Sequence, residues 1–416
     1  MRIVVAVVLA VLAAIDAQAQ AQVIAIKTGK LIDPDTGRTA SNQVILVEKG
    51  RIQSVGTALP IPRGAAIVDL SAFTVAPGLF DAHTHLCLTT TNPKNWQEAA
   101  LESTAFRALR GVANAREMLN AGFTTVRDVG NAGNYADTDL RRAIEQDLVI
   151  GPTVLNAGRI ISPYGGQMQL QPERRDLATP EYFFADTRDE MKKAIRENIH
   201  FGAKVIKIVV DGFPYTYSAE DVAYIVGEAR QAGLKVAAHA ITETGTRNAA
   251  RGGVASIEHG YEMSDEVLQL AKANGVALVG TDLTEPALQE MGFAEYTADL
   301  KQYHARIVDR LRRAHALGVT LAYGTDADCF VAGKSRGELA LSLISSWIEA
   351  GIPAPSILRA MTANAARLLG VDKERGTIAP GLAADIIAMP ENPLEDIRAL
   401  ERVRFVMKNG TIVRQP

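Results

Sequence analysis

The stretch "GLFDAHTH", residues 78–85, opens on an apolar run and closes on two histidines one residue apart, His83 and His85. In a strand, residues i and i+2 face the same way. Both imidazoles therefore leave one side of one strand end. The chain holds only seven histidines in 416 residues, so the pairing needs a reason. An isolated H-x-H is equally a pair of solvated histidines, and what surrounds it decides.

Seven runs of the same kind follow. They are "FTTVRDVG" (123–130), "PTVLNAGRI" (152–160), "KVIKIVVDG" (204–212), "LKVAAHA" (234–240), "ASIEHG" (255–260), "VALVGTD" (276–282) and "VTLAYGTDAD" (319–328). Amphipathic helical patterns lie between them, such as "STAFRALRGVANAREMLNAG" (103–122) and "SAEDVAYIVGEARQAG" (218–233). Several end in Ala-Gly or Leu-Gly, a helix-stop signal. Strands alternating with helices imply parallel pairing. Eight such units predict an α/β fold, a closed (β/α)8 TIM barrel over residues 78–376. An open doubly wound sheet is the alternative, but no glycine-rich dinucleotide turn follows the first run.

The two ends read differently. "NQVILVEKGRIQSVG" (42–56) is two apolar runs around Lys49-Gly50, and "RVRFVMKNGTIVR" (402–414) is two alternating runs around Asn409-Gly410. Both are hairpin signals. They predict a small β-sandwich domain built from residues 20–77 and 377–416. Before it, Arg2 precedes an unbroken apolar run, Ile3–Ile15, and then "DAQAQAQ". This is the layout of a secretory signal peptide over residues 1–19, and the run is shorter than the ~20 residues a membrane span needs. The expected mature protein is exported, periplasmic or secreted, with no membrane segment. A net charge of −3 and no basic run argue against a nucleic-acid partner.

Active sites of such barrels sit at the C-terminal ends of the strands. His83 and His85 end run one, His239 run five, His259 run six and Asp326 run eight. Each alone has a bland explanation; jointly they converge on one face. Lys207 lies inside "VIKIVV", where an unpaired ammonium is costly. It is either a lysine reaching for the strand end or one converted by CO2 to an anionic carbamate. Imidazoles with carboxylates suit Zn2+ or similar ions, and two such ions can share a hydroxide and polarise a carbonyl. Asp328 is expected beyond the strand and outside the chemistry. Tyr217, in "FPYTYSAED", falls in a loop suited to contact a substrate carboxylate, as does Arg247, although Arg247 reads better as an ordinary helix residue. Cys87 and Cys329 follow runs one and eight. In a closed barrel those runs are neighbours, so either a disulfide or two separately packed thiols fits.

The motifs "PGLFDAHTH", "KVIKIVVDG", "AAHA", "SIEHG" and "YGTDA", with the tail "MTANAARLLGVDKERGTIAPGLAADIIAMPENPL", resemble the amidohydrolase superfamily over nearly the whole mature length. The nearest branch is the imidazolonepropionase-like and Xaa-Pro-dipeptidase-like group, which includes ochratoxin A-hydrolysing members. The resemblance implies two divalent metal ions. His83, His85 and Asp326 would hold one and His239 and His259 the other, with carboxylated Lys207 between them. Asp326 would also carry the proton. The implied activity is cleavage of an amide next to a C-terminal amino acid, in a small-molecule or dipeptide-like substrate, by a homo-oligomer. One departure stands out: many relatives have Gly-Gly-His after the third strand, and this chain has Gln167 there. Hydrolysis of a cyclic amide or lactone, deamination, and a non-catalytic scaffold are the alternatives. Lys207 argues against deamination, and the complete ligand set argues against a scaffold.

Overall fold

The computed structural model describes residues 23–89, 100–167, 171–212, 214–292, 297 and 299–416. The expected signal peptide lies outside them. Among the described residues no helix is long and apolar enough to cross a membrane.

The described residues form seventeen strands, of which five come first: β1 Ile24–Asp33, β2 Arg38–Ser41, β3 Gln43–Glu48, β4 Arg51–Thr57 and β5 Ala66–Pro77. Nine shorter strands follow: β6 Leu79–Thr84, β7 Phe123–Asp128, β8 Thr153–Asn156, β9 Ile160–Ser162, β10 Tyr182–Phe184, β11 Ile206–Val209, β12 Val236–Ala240, β13 Ser256–His259 and β14 Ala277–Val279. Three come last: β15 Ile386–Met389, β16 Phe405–Lys408 and β17 Thr411–Arg414.

Both chain ends share one eight-stranded sheet in the order β17-β16-β15-β5-β1-β3-β4, with β2 on β1. The expected hairpins turn where the sequence puts them. Lys49 and Gly50 have φ of 49° and 78°, and Asn409 and Gly410 have 48° and 76°. Two consecutive positive φ values are what a type I′ hairpin turn requires. Ile26, Ile45, Val47, Ile52, Phe405 and Met407 form this sheet's own core.

The middle of the chain alternates strand and helix. Its strands are parallel and most are buried along their length, as in β7, where all six residues are buried. They form two sheets, β6-β7-β8 and β10-β9-β11-β12-β13-β14. Several of the helices begin on hydroxyl caps in the loops that follow the strands. Ser103 caps α1 (Thr104–Asn120), Thr187 caps the helix Arg188–His200, Ser218 caps Ala219–Gln231 and Thr242 caps Glu243–Gly252. Their apolar faces bury Met118, Ile195, Ile225 and Ala249 in the common core.

Run eight is the difference from expectation. It is extended chain rather than a strand, with a single parallel bridge, Leu278 to Leu321. The reason is a side chain. Asp81 of β6 accepts the backbone N–H of Thr325 at 3.1 Å and its hydroxyl at 2.6 Å, so a carboxylate takes a bond that a ladder would have used. Two backbone bonds still join run eight to each neighbour, among them Leu278 donating to Thr320 at 2.9 Å. Ala322 donates to Leu278 at 3.1 Å, Ala82 donates to Tyr323 at 2.8 Å, and Asp326 donates to His83 at 2.9 Å. On the other side Lys204 donates to Asn156 at 2.7 Å, joining the end of β8 to the chain entering β11. Cys87 and Cys329 are both buried free thiols.

Candidate metal centre

The strand ends bring the expected residues together. Ring centroids are 5.4 Å apart for His83 and His85, 5.1 Å for His83 and His259, and 4.5 Å for His239 and His259. Asp326 Oδ1 lies 3.2 Å from His85 Nε2 and 3.5 Å from His83 Nε2. One ligand atom each from His83, His259 and Asp326 falls within a 4.8 Å group. All of these, with Lys207, line a cavity of about 310 Å3.

The backbone works to aim these groups. His259 and Asp326 sit at φ of 69° and 53°, the left-handed region that non-glycine residues rarely occupy. Such strain persists where the surroundings over-determine it, and it clusters at functional sites. Around Asp326 the determinant is Asp81, which also accepts the His83 backbone N–H at 3.0 Å. Past His239, Asp211 accepts the backbone N–H of Ile241 and Thr242 just beyond β12.

Electrostatics favour the ligating form of three of the four imidazoles. Burial, with the charge of Lys207, pushes His239 down to about 3 and His83 well below the ordinary histidine range. Burial and the neighbouring histidines do the same to His259. Neutral imidazole is the form that binds a metal. His85 goes the other way, to about 9; burial opposes its charge, but the hydrogen bond and charge of Asp326 outweigh it. Burial would raise Asp326, yet His83, His85 and Lys207 hold it below the usual carboxylate range. Lys207 is 2% exposed, and burial lowers it to about 8. Four convergent imidazoles, a carboxylate and a lysine easily made neutral are a donor set that fits divalent cations.

Two expectations are corrected. Tyr217 is placed off the cavity wall: it is 4% exposed, is not among the residues that line the cavity, and its hydroxyl donates to the Ala185 carbonyl at 2.6 Å. Its side chain turns inward because that carbonyl needs a donor. Asp328 is not outside the site; it lines the cavity, and burial beside Asp326 raises it. Arg247 pairs on the surface with Glu243 and Glu266, as a helix residue does. Gln167 does face the cavity, taking the Tyr182 hydroxyl at 3.1 Å with its amide nitrogen 3.4 Å from His239 Nδ1.

Sequence reasoning missed Arg107 and Glu181, which also line the cavity. Arg107 is the guanidinium of that wall. It donates to the Ala132 carbonyl and lies over Gly133, where a Cβ would come within 2.6 Å of its Nη1. Its signal was a lone basic residue in the first turn of a helix at the strand-end face.

The pattern of the amidohydrolase family matches residues 74–413. Ochratoxinase of Aspergillus niger is 28% identical over 432 residues, covering 95% of this chain and 88% of that protein. Imidazolonepropionase of Legionella pneumophila (strain Corby) is 27% identical over 390 residues, covering 85% and 89%. Among solved structures, a Xaa-Pro dipeptidase with bound methionine in the active site superposes with a TM-score of 0.81 at 28% identity, covering 94% of this chain and all of that one. The crystal structure of A. niger ochratoxinase gives 0.82 at 26% identity, covering 95% and 96%. The branch read from the motifs is thereby borne out. The chain belongs to the amidohydrolase family and is a hydrolase acting on amide bonds.

Proposed function

We propose a binuclear metal hydrolase that cleaves the amide bond next to a C-terminal amino acid, in dipeptides or N-acyl amino acids. The observation that carries this is the convergence of His83, His85, His239, His259, Lys207 and Asp326 on one cavity. Residues 78–376 are its catalytic domain. The two parallel sheets are arcs of one (β/α)8 barrel, a reading supported by the backbone bonds at Asn156, Leu278, Tyr323 and His83. Residues 20–77 and 377–416 make the small β domain. Export and assembly as a homo-oligomer belong to the same proposal.

His83, His85 and Asp326 would hold one cation and His239 and His259 the other, with Lys207 as a carbamate between them. Burial favours that modification, since only the neutral amine attacks CO2 and Lys207 is lowered to about 8. When bound, such ions supply Lewis-acid polarisation of a carbonyl and a water acidic enough to attack it. Asp326, held ionised beside the ring nitrogens, takes the proton from the attacking water and delivers it to the amine nitrogen as the C–N bond breaks. Leu88, Ala132, Ile160 and Leu177 give the cavity an apolar wall, and Arg107 offers a planar cation for the product carboxylate.

A panel of N-acyl amino acids and dipeptides, each with a free or an amidated C-terminus, tests this in the presence of Zn2+. Release of a free C-terminal amino acid, with Arg107→Met raising KM only for the carboxylate-ended members, is expected. Turnover confined to cyclic amides or lactones would overturn it.

A further inference from the structure

His83 is held from behind by a carboxylate that no strand-end pattern marked. Its Nδ1 lies 2.7 Å from Glu258 Oε2, and the two side chains are 1% and 0% exposed. Glu258 Oε1 accepts Arg127 Nη2 at 2.8 Å and also the Ser256 hydroxyl. Arg127 spends its other donors on Ser256 Oγ at 3.0 Å and on the Ala82 carbonyl at 2.6 Å. Side chains from β6, β7 and β13 therefore meet at one carboxylate, inside the strands and beneath the cavity floor.

The chemistry of that contact fixes a proton. The Arg127 guanidinium does not deprotonate in proteins, so the carboxylate paired with it carries the compensating charge and can only accept. The imidazole nitrogen facing it must then be the donor, Nδ1–H. That leaves the Nε2 lone pair bare, and Nε2 is the atom that faces Asp326 at 3.5 Å. The neighbouring imidazoles get weaker support. His259 Nδ1 meets the Thr281 hydroxyl at 2.8 Å, and His239 Nδ1 meets the Gln167 amide at 3.4 Å. An imidazole backed by a carboxylate is oriented and made more basic toward a cation on its far side.

We propose that Glu258, itself fixed by Arg127 and Ser256, is a positioning residue. It locks His83 in one tautomer and one orientation, and so sets the affinity of the centre for a divalent cation. The inference rests on reading His83 as a ligand, as above. A purely structural alternative is that Glu258 merely neutralises a buried Arg127, and the two make different predictions.

The test uses full-length protein stripped by a chelator, with Zn2+ titrated in against a chromophoric chelator and the metal-free protein melted in parallel. Glu258→Gln should weaken the tightest Zn2+ site by roughly 10- to 100-fold, the loss typical of removing such a support. It should also lower the melting temperature, because Arg127 is left without its counter-charge. The double variant Glu258→Gln/Arg127→Met removes both charges. It should recover the melting temperature yet keep the weakened Zn2+ binding, and it carries the test if the single variant does not fold. Wild-type affinity in the double variant, or in Glu258→Gln, would overturn the inference while leaving the metal centre intact. No Zn2+ uptake by the wild-type protein would instead overturn the ligand reading beneath it.

Discussion

Asp81 is the sharpest place to perturb the seam between β6 and run eight. Its carboxylate accepts three buried donors: the backbone N–H of His83 at 3.0 Å, the backbone N–H of Thr325 at 3.1 Å and the Thr325 hydroxyl at 2.6 Å. Asp81→Ala orphans all three. The hydroxyl can rotate to another acceptor, but the two amides cannot, and each buried orphan costs about 1–3 kcal/mol. The acceptor's loss is therefore worth about 2–6 kcal/mol, a large part of the 5–15 kcal/mol that typically separates folded from unfolded. Charge complicates a comparison with wild type, because burial raises Asp81 to about 7 and its ionisation is itself a cost to folding. Asp81→Asn removes that complication: both variants are uncharged, and only Asn keeps an oxygen for the amides. Urea unfolding of both metal-stripped variants at one pH should place Ala below Asn by at least about 2 kcal/mol. Equal midpoints, within about 1 kcal/mol, would refute the claim that this carboxylate replaces the missing ladder.

Asp326→Asn should leave the fold intact and reduce turnover by orders of magnitude, since an amide is a poor proton carrier. Asp328→Asn, now that Asp328 is placed on the cavity wall, should change kcat/KM measurably but less; an unchanged value would return Asp328 to the periphery. Lys408 is 8% exposed, and burial lowers it to about 8. The unfolded chain therefore binds more protons between about pH 8 and 10.5, so stability should rise with pH across that window and the full penalty should be present below it. Thermal melts should show Lys408→Met more stable than wild type at pH 7, by up to about 3 kcal/mol, with the gap closing by pH 10; a constant gap would contradict the sign. Tyr217→Phe loses one buried hydrogen bond and should cost about 1 kcal/mol in unfolding experiments with KM unchanged, whereas a raised KM would restore it to the substrate.

What could be read beforehand follows a physical divide. Period-2 patterning says which way a residue faces and where a strand ends, so the convergence of His83, His85, His239, His259 and Asp326 on one cavity was legible without any contact being known. Asn409-Gly410 and Lys49-Gly50 announce their turns because positive φ selects such residues. What the pattern cannot contain is a side chain arriving from another strand. Run eight read as a strand because its residues are apolar, but Asp81 reaches across from 244 residues away to take the Thr325 amide. Glu258 lies next to His259 in "ASIEHG" with nothing in the pattern to mark it, and only the packing of β6 and β7 shows that His83 and Arg127 share its oxygens. Tyr217 failed for a related reason: a loop tyrosine reads as exposed until the carbonyl it satisfies, Ala185, is known. Arg107 and Glu181 come from segments with no strand-end signature, and only the closing of the cavity brings them in.

The central claim is that amide hydrolysis here depends on divalent cations held by the imidazoles together with Lys207. Its most direct test is a reconstitution titration, in which chelator-stripped enzyme receives Zn2+ in the presence of bicarbonate while release of a C-terminal amino acid from an N-acyl substrate is followed. Wild type should be inactive when stripped and regain full rate at about two equivalents of Zn2+ per chain. Lys207→Arg, which cannot form a carbamate, should stay inactive and retain less metal. Full turnover in the stripped enzyme, or in Lys207→Arg with two ions bound, would contradict the account.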